Sequence, residues 1–341
     1  MKKKNCLLAG FIAAFCCFGC LPIEDNRLFP GEDMHPPLLI GAAAVSGESL
    51  KVCFNEPPTA DAEDFTVTPF IPVSKAVSEE DALLLELDGS QIPGEEYILE
   101  GKVKDKHGNS LKFILTFYGF NPTIPGIVIN EFTTQGSSTH PDVVELAVLS
   151  AGNMAGLCLY EGTYTDWDDK MLFPSLPVVP GDFILVHFKP QGIPEEVNET
   201  EDPSASGGLD ASPDAYDFWV AGGGGLSGNN GVLSLYSSPG SEIIDGVLYS
   251  NRTSASDETY RGFGSLTVLR RADELVEAGA WLIEGEEAAP EDGINPDDST
   301  ATRSMCRSST SDDADRNSDW HIVPTSTSTF GGINSDEVYS P

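Results

Sequence analysis

The sequence predicts an all-β chain folded as two β-sandwich domains in tandem. Three observations predict it. Short apolar runs alternate with polar residues along most of the chain, the period-two pattern of half-buried strands. Glycine (34) and proline (24) exceed their usual share, which favours turn-rich β architecture over a helical bundle. A length of 341 residues fits two domains, at roughly 100–200 residues each. The charge is lopsided, with 54 acidic residues against 19 Lys and Arg and a formal net charge of −35. Such a surface repels phosphate, so no nucleic acid is expected as a partner of the body of the protein.

The chain opens with Lys2, Lys3 and Lys4, then an apolar run from Leu7 to Phe18. That run is too short for a membrane-spanning helix of about 20 residues and reads as the core of a secretory signal. With Gly19 before Cys20, the segment resembles a bacterial lipoprotein signal, Cys17-Phe18-Gly19-Cys20 standing in the place of the lipobox. It departs from that pattern at Cys17, where Leu is usual, and at Phe18, where a small residue is usual. The resemblance implies removal of residues 1–19, a diacylglycerol on the Cys20 thiol and a lipidated tether over 20–35. Acyl chains contribute about 0.8 kcal/mol per buried methylene, so several anchor a protein stably. The other reading is an ordinary signal peptide with incidental cysteines. Cys6, Cys16 and Cys17 leave with the signal. Cys53, Cys158 and Cys306 then remain, too few for a disulfide framework, and each reads as a buried apolar filler.

The first domain is placed at residues 36–121. Leu50 to Phe54 alternates, Tyr97 to Val103 alternates more weakly, and Leu111, Phe113, Leu115 and Phe117 share one face. Val52-Cys53-Phe54-Asn55-Glu56-Pro57, then Tyr97-Ile98-Leu99-Glu100 after a Pro93-Gly94 turn, then Asp105-Lys106-His107-Gly108-Asn109 follow in the order of a bacterial Ig-like domain, which the segment resembles. In the last of these, Gly108-Asn109 supplies the positive φ that a tight hairpin needs and Asp105 caps it. Lys102, Lys104 and Lys106 alternate on one face and read as protection of an edge strand. Residues 122–126, with Pro122 and Pro125, form a semi-rigid linker.

The second domain is placed at 127–335. Its carrying segments are Ile127 to Phe132, Asp142 to Leu146, Leu157 to Tyr160, Val179 to Val186, Gly231 to Tyr236, Ile244 to Tyr249, and the ending through Ser304–Arg307, Asp319-Trp320, Pro324-Thr325 and Gly331-Gly332-Ile333-Asn334. Taken in order they resemble the lamin tail domain, an Ig-like sandwich, although the usual Trp is missing beside Leu157. One helix is predicted, Ala272 to Trp281, with Leu275 and Val276 on its apolar side and Gly279 weakening it. Two acidic insertions interrupt the pattern. Residues 190–217 hold eight acids and residues 284–298 hold seven, with no Lys or Arg in either. Both read as solvated or partly disordered surface loops, with binding of a cation or a basic partner as the functional alternative.

Chemistry-bearing motifs are sparse. Gly223-x-Gly225-x-x-Gly228 has the spacing of a dinucleotide fingerprint, but it lies in a glycine run with no helix after it and reads as a loop. The histidines show no metal spacing, and His187, inside a strand, reads as structural. Trp167 lies among acids and reads as a rim residue, with sugar stacking as the functional alternative. In the stretch holding Asp313, Asp315, Asn317 and Asp319, oxygen side chains fall at positions 1, 3 and 5 of a calcium loop. Ser318 then stands where such a loop needs Gly, Pro324 where it needs the bidentate Glu, and Arg316 adds a positive charge. Calcium is thus the one metal the sequence suggests, and no other cofactor is expected. The function expected is that of a lipid-anchored protein of the cell envelope, outside the cytosol. It would be a scaffold, adhesion or binding module with no catalytic activity, held to the membrane at Cys20 and meeting a protein or glycan through loops of the second sandwich. The lamin tail resemblance also carries a rival, an accessory or catalytic part of a secreted hydrolase or nuclease system. A third reading is a module that binds calcium or carbohydrate.

Overall fold

A computed structural model describes residues 33–341. The predicted signal 1–19, Cys20 and most of the tether 20–35 lie outside the described residues. The chain divides into two compact units, one ending at Pro122 and the other running from Thr123 to Pro341. Both are built from β-sheets. Among the described residues no helix is long and apolar enough to cross a membrane.

The first unit contains β1 (Leu39–Ser46), β2 (Ser49–Phe54), β3 (Phe65–Thr68), β4 (Val73–Glu79), β5 (Ala82–Leu87), β6 (Glu96–Lys104) and β7 (Ser110–Tyr118). They form a four-stranded sheet, β1-β2-β5-β4, and a three-stranded sheet, β3-β6-β7. Alternation places one face of each sheet inward. Tyr97, Leu99 and Val103 of β6 and Phe113 and Phe117 of β7 meet Leu50, Val52 and Phe54 of β2 and Leu83 and Leu85 of β5 in one core. The β6–β7 turn is capped as its sequence requires. Asp105 Oδ1 accepts from the amides of His107 and Asn109, and Gly108 takes φ +90°. The lysines read differently in three dimensions. β6 is the middle strand of its sheet, so Lys102 and Lys104 protect no edge, and Lys106 lies in the turn beyond. Gly101 is required by packing, because a Cβ there would lie 2.5 Å from the Phe113 ring and 2.9 Å from Phe65.

The second unit contains β8 (Ile127–Phe132), β9 (Val143–Val148), β10 (Gly152–Asn153), β11 (Cys158–Thr163), β12 (Asp166–Leu172), β13 (Pro177–Val178), β14 (Phe183–His187), β15 (Tyr216–Trp219), β16 (Asn230–Tyr236), β17 (Ile243–Ser250), α1 (Leu266–Glu277), β18 (Met305–Cys306) and β19 (His321–Ile322). A six-stranded sheet runs β15-β14-β9-β8-β18-β19 and a four-stranded sheet runs β12-β11-β16-β17, with β10 and β13 paired apart. Ile129, Val144, Leu146, Leu159, Leu233, Leu235 and Trp281 belong to the large core of this unit. Strands β8, β9, β11 and β16 are buried along their whole length, so both faces of each are covered. The helix α1 covers one of those faces. It starts six residues before the predicted Ala272, because Ser265 caps it by accepting from Val268 N and because Val268, Leu269, Ala272, Leu275 and Val276 form one apolar stripe. Gly246 of β17 lets it come close, since a Cβ there would lie 2.3 Å from Leu275 Cδ1.

The acidic insertions are mostly exposed loops, as expected, and each is pinned to the fold at a few buried residues. In 190–217, Glu199 is buried and accepts from the amides of Ser206 and Asp217, and Tyr216 and Asp217 already belong to β15, which pairs parallel with β14. In 284–298, Ala288, Pro290 and Ile294 are buried, and Ile294 exchanges backbone hydrogen bonds with Leu248 and Ser250. Cys53, Cys158 and Cys306 are buried thiols. Replacing Gly101 by Val should cost about 1–3 kcal/mol through overpacking against Phe113 and Phe65; urea unfolding of the first unit followed by circular dichroism checks it, and an unchanged midpoint would contradict the packing described.

Candidate functional site

The residues with calcium-loop spacing meet a guanidinium. Arg307, just after β18, is fully buried. Its Nε donates to Ile129 O at 2.8 Å, its Nη2 reaches both oxygens of Asp245 at 3.2 and 3.3 Å, and its Nη1 donates to Asp313 Oδ1 at 2.7 Å. Asp319 Oδ2 lies 3.6 Å from the same Nη1, and the Trp320 ring centroid lies 4.7 Å from Cζ. Asp315 converges with Asp245 and Asp313, whereas the Asn317 amide turns away to Glu291 O at 3.3 Å. The structure thus gathers Asp313, Asp315 and Asp319 but not Asn317, and it adds Asp245, which the spacing did not indicate. Arg307 supplies the cation against which these carboxylates stand. Burial pushes the Asp245 carboxyl up to about 7, against the opposite pull of Arg307.

A second polar cluster lies on the six-stranded sheet. Glu131 and Glu145 are directly opposite in β8 and β9 and fully buried. Residues near the C-terminus bind them. Thr329 donates through N and Oγ1 to Glu131, Gly331 N donates to Glu145 Oε2 at 2.6 Å, and Ser304 Oγ donates to Glu131. The side chains of Asn130 and Asn334 exchange amide hydrogen bonds at 3.0 Å. Burial raises both carboxyls, and the Glu131 charge raises Glu145 further. His187 serves the frame too. Its Nε2 meets Asp217 Oδ1 at 2.7 Å, with the Trp219 ring stacked on it at 3.8 Å between centroids.

A cavity lies elsewhere, at the N-terminal end of α1. It measures about 350 Å³ and is lined by Glu161, Asp168, Asn230, Arg252, Thr267 and Arg271, with glycine and apolar residues between them. Strand β11 brings Glu161, β12 brings Asp168, and α1 brings Arg271. Arg271 is buried and holds Asp168 Oδ2 at 2.7 Å and Asp166 Oδ1 at 2.8 Å, while its Nε has no partner among the described residues. Tyr249 Oη, also buried and unpartnered, lies where a Cβ on the lining residue Gly231 would approach it to 2.4 Å. Glu161 is 6 % exposed, and its Oε1 accepts from Ser227 N at 3.1 Å. Burial, reinforced by the charges of Asp168 and Asp169, pushes its carboxyl up to about 7. This arrangement presents hydrogen-bonding and charged groups to a small polar molecule. Sequence reading passed these residues over. The available signals were a Glu at the end of the apolar run Leu157 to Tyr160 and an Arg270-Arg271 pair in a chain short of bases. Trp167 lies on β12, half-exposed, with Lys170 Nζ 4.6 Å from its ring centroid.

A family model named TP_1001_2nd and described as a protein second domain matches residues 125–322. A protein of Treponema pallidum (strain Nichols), carried under the name "Uncharacterized protein", is 25% identical over 194 residues, which are 55% of this chain and 48% of that one. The chain therefore spans about half the length of that curated relative. Among solved structures, the N-terminal part of the bacterial S-layer protein SbsC is 18% identical with a TM-score of 0.26, covering 37% of this chain and 34% of its own. A longer SbsC structure is 13% identical with a TM-score of 0.25, covering 63% of this chain and 41% of its own. At such TM-scores the shared backbone is partial, and neither chain lends this one an activity.

All four tryptophans lie beyond Pro122, so tryptophan fluorescence reports the second unit. Arg307→Ala should destabilise that unit by about 3–5 kcal/mol, because it strands the buried Asp245 carboxylate; urea titration by fluorescence measures it, and a loss under about 1 kcal/mol would contradict the role given to Arg307. The Glu161 carboxyl is raised in the folded state, so the folded protein binds its proton more tightly than the unfolded chain. Its contribution is present at low pH and is lost as pH rises from about 4.3 through about 7. Between about pH 5 and pH 8 the melting temperature of Glu161→Gln should therefore fall less than that of the parent protein; equal falls would place the titration elsewhere.

Proposed function

This chain belongs to the TP_1001_2nd family, and on that premise we propose that it is a lipid-anchored binding or scaffold protein of the cell envelope with no catalytic role. Under this reading Cys20 carries the lipid, the first unit is a bacterial Ig-like domain and the second is a lamin tail domain whose surface meets a partner. The observation that carries the reading is how the buried ionisable groups of the second unit are employed. His187 is held by Asp217, Arg307 by Asp245 and Asp313, and Glu131 and Glu145 by the C-terminal segment. Each of these groups is bonded into the frame, where a catalytic acid or base must face substrate, and Glu161 is the buried carboxyl that instead borders the cavity at α1. The cavity at α1 offers hydrogen-bond donors and acceptors on rigid elements, which suits binding. The turn 313–319 belongs to the frame in the same way, because Arg307 compensates its acids from within the chain.

The N-terminal basic, apolar and Gly19-Cys20 pattern supports the anchor. Expression in a bacterial host with radiolabelled palmitate tests it. The parent protein should take up label and fractionate with membranes, and Cys20→Ser should do neither. Label retained by Cys20→Ser would overturn the anchor, and a divalent-dependent hydrolase activity of the purified protein would overturn the non-catalytic reading.

A further inference from the structure

The cavity at the N-terminal end of α1 carries an inference that deepens the binding-module reading and rests on it. Four charged side chains line it: the carboxylates of Glu161 and Asp168 and the guanidiniums of Arg252 and Arg271. In a chain with a net charge of −35, a lining of two negative and two positive groups is exceptional. Asp168 and Arg271 are bonded to each other, which leaves Glu161 and Arg252 as the pair with capacity to spare.

Each end of that pair has free atoms. Glu161 is more than nine-tenths buried, and with Oε1 taken by Ser227 N, its Oε2 accepts no hydrogen bond among the described residues. Asn230 commits its Nδ2 to Phe263 O at 2.8 Å, so its Oδ1 remains as a second acceptor in the lining. Together they offer a carboxylate oxygen and an amide oxygen with no donor bonded to them among the described residues, the partners of an ammonium group. Arg252 commits Nε to Gly262 O at 2.6 Å and sets Nη2 3.5 Å from Asp257 Oδ2, leaving Nη1. Gly264, at φ +77°, lets that guanidinium come close, since a Cβ there would lie 2.7 Å from Arg252 Cζ. Beside it Ser265 Oγ accepts from Val268 N, and the amides of Leu266 and Thr267 have no acceptor among the described residues. A helix N-terminus with open amides next to a guanidinium favours a carboxylate. Arg271, which lines the same space, has a buried Nε without a partner among the described residues, as is found where a ligand or water completes a network.

We infer that this cavity binds a small zwitterion of the amino-acid class, its ammonium held by Glu161 and Asn230 and its carboxylate by Arg252 and the first amides of α1. A volume of about 350 Å³ admits one such molecule and excludes a folded partner. A purely anionic ligand leaves the second oxygen of the buried Glu161 without a donor, and a purely cationic one leaves Arg252 Nη1 and the helix-terminal amides without an acceptor; only a molecule with both charges satisfies both.

Titration calorimetry and thermal melting of the full-length protein test it. The probes are L-alanine, L-glutamate and L-lysine with their D isomers, beside N-acetyl-L-alanine and L-alaninamide, each of which lacks one of the two charges. At least one free amino acid should release or absorb heat and raise the melting temperature. The analogue missing a charge should bind about 10–100-fold more weakly, as loss of one charge-assisted hydrogen bond dictates. Glu161→Gln and Arg252→Gln, each verified as folded by circular dichroism, should weaken binding by a similar factor. No response to any free amino acid at about 10 mM, or equal binding of the blocked analogues, overturns the ligand class. That failure differs from failure of the underlying reading, which a hydrolase activity or the palmitate experiment would reveal.

Discussion

The guanidinium of Arg307 joins the two sheets of the second unit. It binds the Ile129 carbonyl of β8 on one side and the Asp245 carboxylate of β17 on the other. Asp245 in turn accepts from Ile129 N at 2.6 Å and from Gly246 N at 2.7 Å. A buried ion pair of this kind adds little net stability over a well-packed apolar substitute, because desolvation offsets the attraction. Its effect is selective. Any arrangement of β8 and β17 that separates Arg307 from Asp245 strands a charge in the core, which costs several kcal/mol. Trp320 covers the guanidinium and packs edge-on against Phe132 at 5.3 Å, so apolar packing and the ion pair impose the same register.

The second polar cluster works with the first. Opposed glutamates inside a sheet repel each other unless donors are brought to them. Here the donors come from the end of the chain: Thr329, Gly331 and Asn334 bind residues of the opening strand and its neighbour. Phe330 packs on Val143, Leu185 and Ala215 beside them, which covers the outer face of the six-stranded sheet and explains why β8 and β9 are buried throughout. The last segment is therefore part of the fold of the first strand of this unit.

These frame contacts engage Arg307, Asp245, Glu131 and Glu145, and the cavity at α1 stands apart from them. Its walls are rigid because α1 rests on β16 and β11 and because Thr163 and Thr165 both donate to Glu274 of the helix. Rigid walls and free polar atoms together reduce the ordering cost of binding. Binding there is compatible with a protein whose other ionisable groups are committed to structure.

The strands of the first unit were legible because one face of each sheet is wet. Tyr97, Leu99 and Val103 alternate with Ile98, Glu100 and Lys102, and local period alone reports which residues turn inward. The Asp105 cap, the positive φ at Gly108, the structural histidine at 187 and a helix near Leu275 were readable for the same local reason. The acidic insertions were legible as exposed loops but their anchors were not, since composition does not tell whether a carboxylate such as Glu199 finds amides to fold upon. Pairings across long separations were invisible: Arg307 meets Asp245 across 62 residues, and Asn130 meets Asn334 across 204. Sequence by itself determined the β class, the turns and the inward faces, because these follow from φ/ψ preferences and the two-residue repeat. Which charges meet, and that Glu161 would border a cavity at a helix terminus, only the tertiary structure decided, because burial and charge compensation are set by residues that become neighbours when the chain folds.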